Sequence, residues 1–369
     1  MAQTAPTAEF KLFVPGPVEI DEATRSIGAR QPPYMRTEAF SRFTLDIFDG
    51  LKRLVGTSGE VVILTASGTA AMEAAVSSIF DAHDRVLVID GGTFGRRFVN
   101  LCEVHGVPHE VIRLDPGKDL PMDLFAAKVH GGRFTGVLVN AHETSTGALY
   151  DIQAMGQVLR GSDTILVVDA ISSLLADPYR MDDWGVDVTI FSSQKGLALP
   201  PGLSFVALSS RAAARARALP RRTLYLHLGD YLKDAERGQA PYTIAVGIML
   251  QLGHRLAAVH AVGVDRIVAD CAARAALFRA GLRGLPLEVL PERPSNALTA
   301  LRLSRPGLAA PDLVRRLSDQ FGIVVAPNAE PLRQRVFRVG HLGALTIEDV
   351  KKVLAALRTL LAGEAKEAS

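Results

Sequence analysis

Cysteine is nearly absent. The 369 residues hold two, Cys102 and Cys271. That excludes a disulfide framework and fits a reducing compartment. Net charge is also small, with 41 Lys and Arg against 39 Asp and Glu, a balance of +2. Such a chain has no broad field to gather nucleic acid or an anionic membrane, so neither is an expected partner. No stretch of about 18 uncharged apolar residues occurs, which argues against a membrane-crossing helix. The opening MAQTAPTAEFKLFVPGP has no basic region ahead of an apolar run, so a secretory signal is not expected and the cytoplasm is.

Hydrophobic residues make up 48% and charged residues 22%, the profile of a globular chain. The length exceeds one ordinary core, so a large domain and a smaller one are expected. The first 20 residues, with Pro15-Gly16-Pro17, read as irregular. Thr37 then opens a helix with Phe40, Phe43, Ile47, Leu51 and Leu54 on one face. Apolar runs at 61–64, 86–89, 137–140, 165–169, 188–191 and 203–208 read as strands. Between them lie helical faces, such as Met72, Val76, Ile79 and Phe80, or Phe98, Leu101, Cys102 and His105. Strands apolar throughout are buried on both sides, which predicts a mostly parallel sheet in an α/β domain.

The pattern changes after about residue 255. A helical stretch (256–284), strands near 286–290 and 297–303, a helix (311–321), strands at 323–326 and 335–339 and a last helix (347–361) predict a small α+β domain. Thr346 and Asp349 have capping-box spacing at that last helix. The tail GEAKEAS reads as frayed. The domains expected are 1–20, 21–258 and 259–369.

In a parallel α/β sheet, ligands gather at the carboxyl ends of the strands. Ser67-Gly68-Thr69 stands between a strand and a helix, where free N–H groups suit a phosphate, or where Ser67 simply caps the helix. Asp169 ends an apolar strand; it can hold a protonated ring nitrogen or be satisfied by backbone. Lys195 follows another strand, with VTIF before it and LALPPGLSFVAL after it. A lysine buried there is costly unless paired or deprotonated, and deprotonated it is a nucleophile for an aldehyde. Phe94 in Gly-Gly-Thr-Phe-Gly can stack on a flat ring or belong to the core. Arg338, between Phe337 and Val339, can receive a substrate carboxylate or make a structural ion pair.

Together the runs ASGTAAME, GGTFGRR, HETSTG, VVDAISS, FSSQKGLALPPG and FRVGHLG resemble the class V aminotransferases. This branch of the fold-type I pyridoxal-5′-phosphate (PLP) enzymes includes alanine–glyoxylate and serine–glyoxylate or serine–pyruvate aminotransferases. The resemblance runs from FVPGPV at 13–18 to RVGHLG at 338–343. It implies a large domain with a mostly parallel seven-stranded sheet and a small C-terminal α+β domain. It implies PLP held as a Schiff base on Lys195, which then carries the proton. Asp169 would pair with the ring nitrogen. Ser67, Gly68, Thr69 and Gln194 would bind the phosphate, Phe94 and Ile171 would flank the ring, and Thr144 would meet the phenolic oxygen. Arg338 would hold the substrate carboxylate, and the loop at Gly16 would lie over the substrate. Tyr242 and Thr243 match residues that reach a neighbouring subunit's phosphate, which implies a homodimer with shared sites. No metal is implied. The reaction implied moves an amino group from alanine or serine to glyoxylate or pyruvate; a 2-aminoethylphosphonate–pyruvate or other pathway-specific transaminase is the alternative.

Rival readings have weaker support. A cysteine desulfurase needs a mobile catalytic Cys, and Cys102 and Cys271 both fall in helical stretches. Ser192 to Lys195 fits the S-x-x-K of some serine hydrolases, but no K-T-G follows. A nicotinamide enzyme would want G-x-G-x-x-G after its first strand, where this chain has Ser-Gly-Thr. Cys102, His105 and His109 have passable metal spacing, yet a helical face favours packing. The five arginines from Arg211 to Arg222 read as a solvated helix face.

Overall fold

The computed structural model describes residues 10–305 and 307–367. The chain starts as strand β1 (Lys11–Phe13), followed by helices α1 (Glu22–Ile27) and α2 (Glu38–Val55). Thr37 caps α2 by accepting from Phe40 N–H, and Gly56 ends it at φ 71°, a left-handed conformation that glycine adopts freely. Strands and helices then alternate: β2 (Glu60–Leu64), α3 (Gly68–Ile79), β3 (Val86–Asp90), α4 (Thr93–His105), β4 (His109–Arg113), α5 (Met122–Gly131) and β5 (Gly136–Asn140). A short hairpin, β6 (His142–Glu143) and β7 (Ala148–Leu149), leads to α6 (Ile152–Leu159) and β8 (Ile165–Asp169). Strands β9 (Val188–Ser192) and β10 (Ser204–Leu208) precede helices α7 (Ser210–Ala218), α8 (Leu228–Ala235) and α9 (Val246–Val262).

Seven of these strands form one sheet in the order β2-β10-β9-β8-β5-β3-β4. Strand β10 runs antiparallel to both neighbours, and the other pairings are parallel. Alternate residues of each strand enter different cores. Ile63, Leu87, Val137 and Leu166 face one side, and Val62, Val88, Leu138 and Val167 the other. Both faces are covered, which is why the strands read as unbroken apolar runs. The strand missing from the sequence reading is β4, an edge strand whose His109, Glu110 and Arg113 break the apolar pattern.

The chain continues through α10 (Val264–Gly281), β11 (Leu287–Val289), β12 (Leu298–Leu303), α11 (Ala310–Phe321), β13 (Ile323–Pro327), β14 (Val336–Gly340) and α12 (Ile347–Glu367). A second sheet has the order β1-β13-β14-β12-β11. Residues 1–20 were expected to be irregular, yet β1 lies parallel to β13 with Phe13 buried. Three residues are too few to show a period in sequence. The expected boundary at 258 falls within α9, whereas the junction of α9 and α10 lies at Gly263. Helix α12 continues to Glu367, through most of the tail expected to fray, and residues 368–369 lie outside the described residues. Among the described residues, no helix is long and apolar enough to cross a membrane.

The arginine-rich run is not a merely solvated face. Arg211 grips Asp187 through Nε at 2.5 Å and NH2 at 2.6 Å. Arg215 takes both oxygens of Asp84 at 2.5 and 2.6 Å. Arg217 pairs with Glu60, Arg221 with Asp230, and Arg222 donates to the Ser77 and Phe80 carbonyls. The charges tie α7 and its following loop to the sheet and to α3 and α8. Because Asp84 is 4% exposed, Arg215→Ala leaves a buried carboxylate without its cation. We expect it to lower unfolding free energy by about 2–4 kcal/mol in urea titration. Arg221→Ala breaks a more exposed pair and should cost less than about 1 kcal/mol. Equal losses would refute this division of roles.

Candidate active site

The parallel strands bring their carboxyl ends to one edge. Strand β8 ends in Asp169, and its partner across the ladder is Asn140, the end of β5. Asn140 Nδ2 donates to Asp169 Oδ2 at 2.7 Å, and Ile171 N–H donates to Oδ1 at 2.8 Å. Burial raises the Asp169 carboxyl to about 6, against the pull of these two donors. Among the described residues, no cation is hydrogen-bonded to it.

Strand β9 leads into a tight loop that presents Lys195. Ser193 Oγ donates to Pro200 O at 2.7 Å, and Leu199 N–H returns to Ser193 O at 3.0 Å. Ala198 holds φ 52° in this turn. Burial lowers the Lys195 ammonium to about 8; Arg338 and Arg97 push the same way and Asp169 opposes them. The N-terminal loop closes over the lysine. Val18 N–H donates to Gln194 O at 3.3 Å, and a Cβ on Gly16 would sit 2.6 Å from Lys195 Cδ. Only glycine fits there, at φ 142°.

Arg338 projects from β14 toward the same space. NH1 donates to Thr144 O at 3.1 Å and NH2 to Pro327 O at 2.5 Å. Its Nε is buried without a partner, and burial lowers its guanidinium from the ordinary range. Thr144 Oγ1 lies 2.7 Å from Ser172 Oγ, which lies 2.9 Å from His142 Nδ1.

Two helices point their N-termini at this edge. Ser67 precedes α3 with extended backbone and makes no side-chain cap bond. Gly92 precedes α4, whose first N–H groups are taken by Glu143 instead. That buried carboxylate accepts from Phe94 N–H at 3.1 Å, Gly95 N–H at 2.9 Å and Ser145 Oγ at 2.5 Å. Burial still raises its carboxyl above the ordinary value. Arg97, one turn into α4, lies over the Phe94 ring at 4.7 Å from its centroid and donates to Thr69 Oγ1 at 2.9 Å.

These residues fit PLP. The unused Ser67 hydroxyl, the α3 N-terminus, Thr69 and Arg97 suit a phosphate. Asp169 has no hydrogen-bonded cation among the described residues, which leaves it available to a protonated ring nitrogen. A Cβ on Gly68 would meet Ile171 Cδ1 at 2.5 Å, so Gly68 lets Ile171 lie close to the α3 start. The buried orphan atoms Asn140 Oδ1, His142 Nε2, Ser192 Oγ and Arg338 Nε belong to these same segments.

The expected residues Gly16, Gln194, Lys195, Asp169, Ile171, Gly68, Thr144 and Arg338 are thus linked by contact or by charge. Tyr242 and Thr243 stand apart. Tyr242 donates to Leu224 O at 2.6 Å and stacks on Tyr225, and Thr243 is exposed. The residues considered for a metal have other partners. His105 meets Glu73 at 3.1 Å, His109 Nδ1 lies 3.0 Å from Val107 O, and burial pushes the Cys102 thiol up to about 12. Sequence reading passed over Arg97, Asn140, Ser172 and the capping role of Glu143. Arg97 alone left a signal, one helical turn after Phe94.

The family model described as aminotransferase class-V matches residues 41–326. A protein named soluble hydrogenase, small subunit, from Synechococcus sp. is 34% identical over 95% of this chain and 92% of its own length. The L-aspartate–glyoxylate aminotransferase of Paracoccus denitrificans is 30% identical over 92% of this chain and 88% of its own. The solved aspartate aminotransferase of subgroup IV from Thermus thermophilus is 33% identical, with TM-score 0.89 over 95% of this chain and 99% of that one. The family model spans most of the chain and the relatives nearly all of it, so this protein belongs to the class V aminotransferases and is a PLP-dependent transaminase.

Proposed function

We propose that the protein moves the amino group of a small monocarboxylic amino acid, alanine or serine, to glyoxylate or pyruvate in two half-reactions. The observation that carries this reading is the half-buried Arg338, a cation hydrogen-bonded to no carboxylate among the described residues and with a buried, unpaired Nε. A planar guanidinium of this kind suits one carboxylate through paired N–H donors. The second cation acting on Lys195 is Arg97, already engaged by Thr69 and Phe94. Of these two cations only Arg338 keeps a buried, unpaired N–H among the described residues, which supports a donor with one carboxylate. The Paracoccus relative's name supports glyoxylate as acceptor. Two relatives' names carry aspartate, and that donor is the second reading.

Bound PLP supplies an electron sink for the charge left when the substrate Cα loses its proton. Lys195 Nζ, neutral above about pH 8, takes that proton and delivers it back on the other side of the transfer. Asp169 would hold the proton on the ring nitrogen. Ser67, Gly68, Thr69 and Gln194 would hold the phosphate, with Arg97 added. Phe94 and Ile171 would flank the ring, and Thr144 would meet the phenolic oxygen. Gly16 and its loop exclude water above Lys195. The exposed Thr243, with Tyr242, serves a second copy's phosphate in a homodimer, and the protein works in the cytoplasm.

Three outcomes test this. The yellow band of the loaded protein should bleach with L-alanine or L-serine and return with glyoxylate or pyruvate. Bleaching by L-aspartate alone would replace the monocarboxylate reading with the second one. Arg338→Lys keeps charge but loses the fork; KM for the donor should rise about tenfold or more with the band unchanged. The free amine is the group that captures an aldehyde, so PLP uptake by apoprotein should quicken as pH rises through about 8. A midpoint above about 10, the ordinary lysine range, would contradict a buried Lys195.

A further inference from the structure

One buried histidine beside the site has no task in the transfer described above. His142 opens β6, is 2% exposed, and touches Ser172 through Nδ1 at 2.9 Å. Ser172 Oγ in turn lies 2.7 Å from Thr144 Oγ1. Ser172 and Thr144 are 4% exposed, so water does not compete for these bonds. The chain of three polar groups ends at the residue assigned to the phenolic oxygen.

We propose that His142 is a positioning residue: its Nδ1–H donates to Ser172 Oγ, Ser172 donates to Thr144 Oγ1, and the Thr144 hydrogen is left for the anionic oxygen of the cofactor. The proposal rests on the reading that Thr144 meets that oxygen. Three observations set the direction. First, His142 Nε2 is buried with no partner. If Ser172 donated to Nδ1, the proton of the neutral ring would sit on Nε2, buried and without an acceptor. Second, the charges that act on His142 are Lys195 and Arg338, both positive, which favours a lone pair over an N–H at the unpartnered nitrogen. Burial and these two cations hold the ring neutral, lowering it to about 3, so a doubly protonated ring is not in play. The nearest carboxylate in sequence, Glu143, is turned away to the α4 start. Third, the competing acceptor for the Ser172 hydrogen, the His142 carbonyl, is 3.4 Å away, against 2.7 Å for Thr144.

The direction matters because Thr144 has one hydrogen. Donated to Ser172, it would leave only lone pairs toward an anionic oxygen, a repulsive contact. Donated outward, it stabilises that anion. The anion needs this donor most when the neighbouring nitrogen of the Lys195 linkage is unprotonated and shares no charge with it. Losing the donor therefore raises the pH at which that nitrogen deprotonates.

The test is the pH titration of the visible band of the PLP-loaded protein without substrate. Thr144→Val should raise the midpoint by about half a pH unit or more. His142→Phe should raise it in the same direction, and His142→Asn, whose amide N–H overlays Nδ1, should restore it. Ser172→Ala cuts the same chain and gives the reading if His142→Phe does not fold. A raised midpoint in Thr144→Val with unchanged midpoints in His142→Phe and Ser172→Ala would overturn the relay and leave Thr144 in its place. An unchanged midpoint in Thr144→Val would overturn the assignment of Thr144, and the relay with it.

Discussion

The structure is organised around three charges set at least half inside the protein with no hydrogen-bonded ion pair among the described residues to neutralise them. Asp169, Lys195 and Arg338 come together where the sheet edge meets the small domain, and they do not pair with one another by hydrogen bond. Burial disfavours the charged form of each, raising the acid to about 6 and lowering the lysine to about 8. A fold tolerates such groups only if something else makes up the loss. Neutral dipoles do part of this, with Asn140 and Ile171 N–H on the acid and two carbonyls on the arginine. The remainder would come from the cationic ring nitrogen and aldehyde carbon of bound PLP and from a substrate carboxylate.

Most of this fold was legible in the sequence because both sheet faces are covered. Strands in that setting lose their alternation and become short apolar runs, so β2, β3, β5, β8, β9 and β10 stood out. The strands that did not were set by their neighbours. β4 is an edge strand with charged residues, and β1 is three residues long and exists through its pairing with β13. The arginine run shows the same limit. Its composition resembled a solvated helix, but the carboxylates it meets lie far away in sequence at 60, 84 and 187.

The site divides in the same way. Lys195, Asp169 and Arg338 could be found because a charged residue in an apolar strand or at its end is conspicuous. Phosphate residues could be proposed because small and hydroxyl residues at a helix start have a chemical meaning. Asn140, Ser172 and Arg97 could not. Asn140 matters because β5 and β8 pair in a register that sets it opposite Asp169. Ser172 matters because its hydroxyl bridges two residues of one segment about thirty residues earlier in the chain. Such second-layer groups are defined by register and contact, and a polar residue after a strand carries neither in its letter.

The N-terminal segment joins the two halves of the molecule at the lysine. β1 is fixed to the small sheet by its ladder with β13, and Leu12 N–H also donates to Glu19 Oε1 at 2.7 Å. Between those anchors the chain passes so near β14 that a Cβ on Gly340 would lie 2.3 Å from Val14 O. It then reaches Gln194 and Lys195 through Val18 and Gly16. The cover over the reactive amine is therefore part of the small-domain sheet, while the amine itself belongs to the large one. The strand that leads into the loop over Lys195 pairs with β13, and Arg338 sits on the neighbouring β14, so one sheet carries the roots of both.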